Sequence, residues 1–411
     1  MNIYTLVILL ALLVNFVLEL VSEFLNLKAL SPELPAEFRG TYDEKEYARS
    51  QQYTREKTGY GIIVGICDIT VLLLFWFLGG FNTLDLWVRD FGFGEIVTGL
   101  VFMGILILLK TIFSLPFRIY STFVIEEKYG FNRTTPGVFA ADLAKGLVLT
   151  VVLGGPLLAA ILALFEYAGT IAWLYCWLVT TAFILIVQFI APTWIMPLFN
   201  KFTPLEEGEL REAILDYARS VSFPLENVYV MDGSKRSSKS NAFFTGFGKH
   251  KRIALFDTLI EKHTTDELLA ILAHEIGHFK KKHILQGMII SIAHTGFMLW
   301  MLSIFISHGG LFDAFYMQYS SVYAGMIFFG MLFTPLELAL SIIMNIVSRK
   351  NEYEADRFAV ATTDKPEKMI AALKKLSVHN LANLTPHPFT VFLHYSHPPL
   401  LERISAIRRV A

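Results

Sequence analysis

Long apolar runs dominate the hydropathy pattern of the chain. Seven runs reach the length of about 18 residues that indicates a membrane-spanning helix. They lie at 3–20, 60–79, 96–115, 147–165, 171–191, 284–307 and 322–347. The first run lacks the basic leading region and the small-residue cleavage site of a secretory signal peptide, so we expect it to be retained as a helix. The pattern therefore predicts an α-helical polytopic membrane protein with seven transmembrane helices.

Two polar stretches interrupt and follow these runs. The stretch 192–283 contains an amphipathic helical pattern at 204–221, short β-branched segments at 227–232 and 251–258 that predict strands, and a glycine-punctuated edge or loop between them. Thr264 and Glu267 form a capping-box pattern that starts a helix through 283, where Gly277 is the weak point. The predicted organisation is transmembrane helices one to five at 1–191, a folded polar segment at 192–283, helices six and seven at 284–347 and a C-terminal segment at 348–411.

The C-terminal segment is predicted to be mainly helical. Charged helical patterns occupy 349–363 and 365–376, and a last helix begins near the proline pair that precedes 400. The histidine-rich stretch 387–399 is predicted to be a loop between the last two helices.

Composition and the placement of charges indicate a membrane protein and predict the orientation of the chain in the membrane. The chain of 411 residues is 54% apolar with a net charge of −1, so a basic surface for nucleic acid is not expected. Six Lys and Arg residues lie in 28–57 and three in 118–133, whereas 166–170 and 308–321 have none. Cytoplasmic loops carry this excess, so the segments 192–283 and 348–411 are predicted to face the cytoplasm. The membrane would be a bacterial inner membrane or that of the endoplasmic reticulum. The sequons at Asn132 and Asn383 should then carry no glycan.

The strongest chemical signal is a His-Glu-x-x-His pattern. Residues four apart share one face of a helix, so His274 and His278 can bind one metal ion while Glu275 projects beside it. This is the arrangement of two zinc ligands and a carboxylate that takes a proton from the attacking water. Chance gives such a match in roughly one or two chains per hundred, so the pattern needs support from other residues.

A catalytic zinc site usually has three protein ligands. Glu352 is a better candidate for the third than His283 or His294. Helices six and seven can form an antiparallel hairpin that returns Glu352 to the side of His278. Asp356 lies one turn further and could orient a histidine ring. Glu354 is expected to face elsewhere and to be solvated, while His283 is expected at the membrane interface and His294 inside a span.

Charged residues within or near the ends of the spans point to a polar interior. Glu19, Asp68, Lys110 and Glu337 would be costly in lipid, so they are expected to face the interior of the helix bundle or water. Both cysteines, Cys67 and Cys176, lie in apolar runs and are expected to be structural thiols.

With these motifs in view, the chain resembles the type I CAAX prenyl endopeptidases, which are integral-membrane zinc metallopeptidases. The resemblance covers "EEKYGFN", "NAFFTGFG", "HEIGH", "SRKNEYEAD" and "HYSHPPLLERI". It implies a barrel of seven helices around an intramembrane chamber, capped by a mainly α cytoplasmic zincin domain that contains a small β element. It also implies one Zn²⁺ per chain, held by His274, His278 and Glu352, with Glu275 as general base.

The resemblance also implies roles outside the metal ligands. Asn241 and Phe243 would bind the backbone of a peptide or protein substrate, isoprenylated or not, along an edge strand. His397 and Arg403 would lie near the scissile carbonyl, although His397 could instead cap the helix that begins at Pro398.

Two other functions remain open from the sequence. One is a protease of membrane-protein quality control with loose sequence preference. The other is a transporter or channel with a structural zinc clamp, although a structural site normally has four protein ligands.

Overall fold

The structure is a computed structural model that describes residues 2–245 and 251–411, without the side chains of 226, 243–245, 251 and 252. Seven helices within these residues are long and apolar enough to cross a membrane, which confirms the predicted number of spans. The membrane spans are Ile3–Ala29, Glu44–Phe77, Glu95–Glu126, Pro136–Tyr167, Gly169–Leu198, His283–Phe305 and Val322–Thr363.

Sixteen α-helices and four strands can be assigned in the described residues. The helices are α1 (Ile3–Ala29), α2 (Glu44–Phe77), α3 (Gly80–Arg89), α4 (Glu95–Tyr120), α5 (Pro136–Leu149), α6 (Gly155–Tyr167), α7 (Ala172–Ile190), α8 (Glu209–Ser220), α9 (Asp257–Ile260), α10 (Thr265–Lys280), α11 (His283–Phe305), α12 (Gly309–Asp313), α13 (Val322–Thr363), α14 (Pro366–His379), α15 (Pro388–His394) and α16 (Leu400–Val410). The strands are β1 (Phe202–Pro204), β2 (Leu225–Met231), β3 (Ala242–Thr245) and β4 (Lys251–Phe256).

Helix α13 is longer than the seventh apolar run. Where the hydropathy predicts a span that ends near 347, the helix continues unbroken to Thr363 over 42 residues, or roughly 60 Å. It ends because Asp364 adopts a left-handed conformation with φ 54° and Pro366 follows. The membrane span and the predicted ligand Glu352 therefore belong to one continuous helix.

The strands form one sheet in the extramembrane part, in the order β1-β2-β4-β3. Strands β2 and β4 are parallel, while β1 and β3 pair antiparallel to their neighbours. Helices α8 and α10 cover the sheet through a core that includes Ile214, Leu255 and Leu272. The strands β2 and β4 correspond to the predicted segments, whereas β1 was not predicted and β3 lies in the segment interpreted as an edge or loop. Strand β3 forms an edge of the sheet.

Polar contacts fasten the sheet to the helix bundle. The Lys239 ammonium lies 2.9 Å from the Glu126 carboxylate and donates a hydrogen bond to the Tyr53 hydroxyl at 2.8 Å. Arg236 donates two hydrogen bonds to Asp142, at 2.7 and 2.8 Å. These contacts fix the chain immediately before β3 relative to the spans.

The helix bundle contains an open cavity of about 900 Å³, lined mainly by α1, α2 and α4, with two residues of α13. The in-span charges are paired: Lys110 with Asp68 at 2.5 Å, Glu337 with His294 at 3.0 Å, and Glu19 with His394 at 3.2 Å. Pairing lowers the cost of placing charge within the membrane.

The segment 387–399 contains a helix, α15, where the sequence was interpreted as a loop. Pro388 occupies the first helical turn, where its missing N–H costs nothing. The His387 ring accepts a hydrogen bond from the Phe389 backbone N–H at 3.1 Å and so caps the helix. The histidines of this segment are therefore held on a defined scaffold.

Candidate metal centre

Helix α10 presents the His-Glu-x-x-His residues on its buried face. Its start is a capping box, in which the Thr264 hydroxyl accepts from the Glu267 N–H and the Glu267 carboxylate accepts from the Thr264 N–H at 2.9 Å. The Nε2 atoms of His274 and His278 lie 3.1 Å apart. The two imidazoles therefore point at one position, as their spacing predicts.

Helix α13 crosses α10 closely and supplies a carboxylate. A Cβ atom built on Gly277 would lie only 3.1 Å from the Ala355 carbonyl oxygen and 3.2 Å from its Cα. This close approach places the Glu352 carboxylate 3.5 Å from His274 Nε2 and 3.2 Å from His278 Nε2. The three ligand atoms all lie within 4.8 Å of one another.

These donors fit a zinc ion. Ligand atoms about 2.0–2.2 Å from a tetrahedral zinc lie about 3.3–3.6 Å apart, and the observed separations of 3.1, 3.2 and 3.5 Å lie within or about 0.2 Å below that range. The buried Glu352 Oε2 accepts no well-formed hydrogen bond from the described side chains, although a buried carboxylate oxygen normally has a partner. Two imidazoles and one carboxylate are also the ligand set of several catalytic zinc sites.

The ring of His274 is fixed from behind. Asp356 Oδ1 lies 2.8 Å from His274 Nδ1, and the Arg403 guanidinium grips both oxygens of Asp356 at 2.9 and 2.6 Å. Arg403 also lies 3.3 Å from Glu352 Oε2 and is only 8% exposed. The structure thus brings Asp356 to its expected position and commits much of Arg403 to two carboxylates.

Glu275 projects into the cavity in front of the candidate ligands. Burial raises the pKa of its carboxyl, and the neighbouring His274 and His278 oppose that rise. A raised pKa makes the carboxylate a stronger proton acceptor near neutral pH. This environment suits the predicted base.

Two predictions near the site were wrong. The helix expected to run through 283 ends at Lys280, and Lys282 turns the chain with φ 63°, so that His283 is buried as the first residue of the sixth span. Its Nδ1 lies 3.2 Å from His278 Nδ1. Glu354, expected to be solvated, is half-buried and lies 3.3 Å from His283 Nε2. Helical periodicity could not reveal this contact, because a left-handed residue between two helices carries no such signal.

A cavity of about 560 Å³ opens in front of the candidate ligands. His397 lies at its mouth, 65% exposed, with Nε2 3.4 Å from Glu352 Oε1. Asn241 lines the cavity just before the edge strand β3. The side chain of Phe243, the other predicted substrate contact, lies outside the described residues.

The loop that carries His397 is held by α13. Arg349 donates to the backbone carbonyls of Val391 and Tyr395, and Asn345 donates to that of Leu393 at 2.9 Å. Arg349 was not singled out from the sequence, although it belongs to the same motif as Glu352.

Comparisons with known proteins agree over the whole chain. Residues 23–201 match the family model of the CAAX prenyl protease N-terminal region with five membrane helices, and residues 204–411 match that of peptidase family M48. CAAX prenyl protease 1 of Saccharomyces cerevisiae is 36% identical, covering 93% of this chain and 90% of that protein. The human CAAX prenyl protease 1 homolog is 34% identical, covering 91% and 88%. The crystal structure of S. mikatae Ste24p superposes with a TM-score of 0.91 at 34% identity and 99% coverage of both chains.

Proposed function

Because the chain belongs to peptidase family M48 and carries the membrane region of the CAAX prenyl proteases, it is a membrane metallopeptidase, and we propose that it is a zinc endopeptidase acting near the C-terminus of prenylated CAAX-type peptides. The observation that carries this proposal is the convergence of His274, His278 and Glu352 beside Glu275 in one cavity. A structural zinc site would need a fourth protein ligand, whereas the group of potential metal ligands found in the described residues has three members, His274, His278 and Glu352.

Each residue of the site has a chemical task in peptide hydrolysis. When bound, zinc would polarise the scissile carbonyl and make the attacking water more acidic. Glu275 accepts the proton of that water and passes it to the leaving amine. His397, at the cavity mouth, donates a hydrogen bond to the carbonyl oxygen as negative charge develops on it.

The edge of the sheet supplies a binding surface for an extended peptide. Among the described residues, strand β3 pairs with β4 on one side only, which leaves its other edge for backbone hydrogen bonds from a substrate strand. Asn241 lies where this edge meets the cavity. The substrate backbone would therefore run past Glu275 along β3.

The cavity connects this site to the spans, which supports a substrate presented from the membrane. The cavity is lined in part by apolar residues of α11 and α13, namely Ile284, Ile290, Met344 and Val347. We further propose that the site faces the cytoplasm, because Lys and Arg are concentrated in the loops on that side. A glycan on Asn132 or Asn383 in a eukaryotic host would contradict this orientation.

The test is mass-spectrometric mapping of cleavage by the purified, detergent-solubilised protein. A farnesylated CAAX-type peptide and its unfarnesylated twin serve as substrates, and Glu275→Gln as the blank. We expect removal of the last three residues from the farnesylated peptide alone. Equal cleavage of both peptides would favour membrane-protein quality control, and zinc-loaded protein that cleaves neither would refute the proposed function.

A further inference from the structure

The two candidate histidine ligands are supported from behind in different ways. His274 contacts a carboxylate directly, through Asp356. Behind His278 stands a second imidazole, that of His283, which in turn contacts the Glu354 carboxylate. Ligand histidines generally donate their second N–H to a carboxylate, a backbone carbonyl or water, which fixes the ring orientation and raises the basicity of the ligand.

We propose that His283 and Glu354 act as positioning residues that orient His278 for metal binding through a hydrogen-bond chain from imidazole to imidazole to carboxylate. The proposal rests on the proposed function, because it takes His278 as a metal ligand. It assigns a role to two side chains that the mechanism above does not use.

The contact geometry determines the direction of the chain. If His278 binds through Nε2, its Nδ1 carries the hydrogen and donates to His283 Nδ1 across 3.2 Å. His283 must then carry its own hydrogen on Nε2, which faces Glu354 Oε2 at 3.3 Å. Each donor therefore meets one acceptor, and the chain ends on a carboxylate. This is the tautomer pattern that a neutral ligand imidazole requires.

The fold holds His283 firmly in this place. Its side chain is 6% exposed, and it is the first residue of α11. The turn that brings it back to His278 needs a positive φ at Lys282, a conformation that is unfavourable for a residue with a side chain. Helix α13 supplies Glu354 from the opposite side, two residues after Glu352.

His283 is not itself placed as a metal ligand. It approaches His278 at Nδ1, whereas the ligand group converges on Nε2 of His278. Within the described residues the potential metal-binding group consists of His274, His278 and Glu352. His283 therefore lies behind the ligand, where it can orient the ring.

The test measures zinc affinity by competition with a chelator in detergent-solubilised protein. His283→Ala should weaken zinc binding by about 10- to 100-fold, the usual effect of removing an outer partner of a ligand. Glu354→Gln should cause a smaller loss, because its amide oxygen still accepts a hydrogen bond from His283 but no longer carries the charge. Because both act through one chain, adding Glu354→Gln to His283→Ala should cause no further loss. His283→Gln should restore part of the affinity, because its amide can both accept from His278 and donate to Glu354.

A matched control and a spectroscopic reading separate positioning from general damage. Lys350→Gln removes the exposed Lys350–Glu354 pair at 4.0 Å and should leave zinc affinity at the wild-type value. In cobalt-substituted protein, His283→Ala should shift the ligand-field bands, whereas Lys350→Gln should not. If His283→Ala does not fold, Glu354→Gln and His283→Gln carry the comparison.

The outcomes distinguish this inference from the proposed function. Wild-type zinc affinity in His283→Ala, or equal losses from Glu354→Gln with and without His283, would overturn the role of the pair and leave the metal site standing. Wild-type protein that binds no zinc, or full zinc occupancy in Glu352→Ala, would overturn both.

Discussion

Replacement of Gly277 by Ala tests whether close helix packing sets the metal geometry. Gly277 lies between the two candidate histidine ligands, at a close approach of α10 to α13. The added Cβ would meet the Ala355 carbonyl oxygen at 3.1 Å, the Ala355 Cα at 3.2 Å and Phe358 Cδ1 at 3.2 Å. Two of these three atoms are backbone of a long helix, so they cannot rotate away as a flexible side chain would.

The size of the effect follows from two opposing contributions. Alanine is favoured over glycine in a helix interior by about 0.8–1 kcal/mol, whereas overpacking a tight contact costs about 1–3 kcal/mol. The free energy of unfolding should therefore fall by no more than about 2 kcal/mol. The helices must separate by a few tenths of an ångström to restore normal contact, which exceeds the tolerance of about 0.2 Å in metal–ligand distances.

We expect Gly277→Ala to remain folded and to lose zinc affinity far out of proportion to its loss of stability. The assay combines thermal unfolding of the metal-free protein with chelator competition for zinc. The control is Gly104→Ala in α4, because no atom of the described residues, apart from its chain neighbours and its own helix backbone, lies within 4 Å of the added Cβ there. Wild-type zinc affinity in Gly277→Ala would refute the reasoning, since it would mean that the ligand set tolerates a wider helix separation.

Three further predictions address the candidate ligand Glu352, the loop that carries His397 and the dependence of stability on acid pH. Glu352→Ala should lower zinc affinity by more than about 100-fold, since a direct ligand outweighs an outer partner; elemental analysis of the dialysed protein measures this. His397→Ala should retain zinc and lower kcat by about 100- to 1,000-fold. Arg349→Met, which frees the loop that carries His397, should lower kcat less. In steady-state assays, adding Arg349→Met to His397→Ala should cause no further fall in kcat. Hydrogen bonding from Arg408 and Lys374 holds the pKa of Glu37 below its ordinary value of 4.5. The contribution of ionised Glu37 to the free energy of unfolding is therefore complete above pH 4.5 and is lost as the pH falls through the lowered pKa. Glu37→Gln should flatten this acid dependence in thermal unfolding.

The sequence predicts those parts of the fold that depend on periodicity. Apolar run length identifies all seven spans, and the four-residue spacing of His274 and His278 places both rings on one helix face. The proximity of Glu352 follows from the hairpin of two spans, because neighbouring antiparallel helices return the chain to the same side of a membrane.

The remaining features depend on single backbone conformations or on very short elements. The left-handed Lys282 directs His283 against His278, and no local pattern distinguishes it from a continuing helix. Strand β1 has three residues, which is too short for a pattern of alternation. The helical pattern at 349–363 was predicted, but its continuity with the seventh span in one helix that ends at Thr363 was not, because hydropathy records only the apolar part of that helix.

Because α13 is continuous, a tilt of its membrane span would move the candidate metal site, which lies in the extramembrane part of the same helix. Pro335 interrupts the hydrogen bonding inside this helix, so the rigid arm runs from Pro335 to Glu352. This arm is about 26 Å long, so one degree of tilt displaces Glu352 by about 0.4 Å. Helix α10 packs against the same stretch, at Gly277 and Ala355, so it would move with α13. Bilayer thickness, which influences the tilt of spanning helices, would then shift the whole site relative to the lipid surface without separating its ligands.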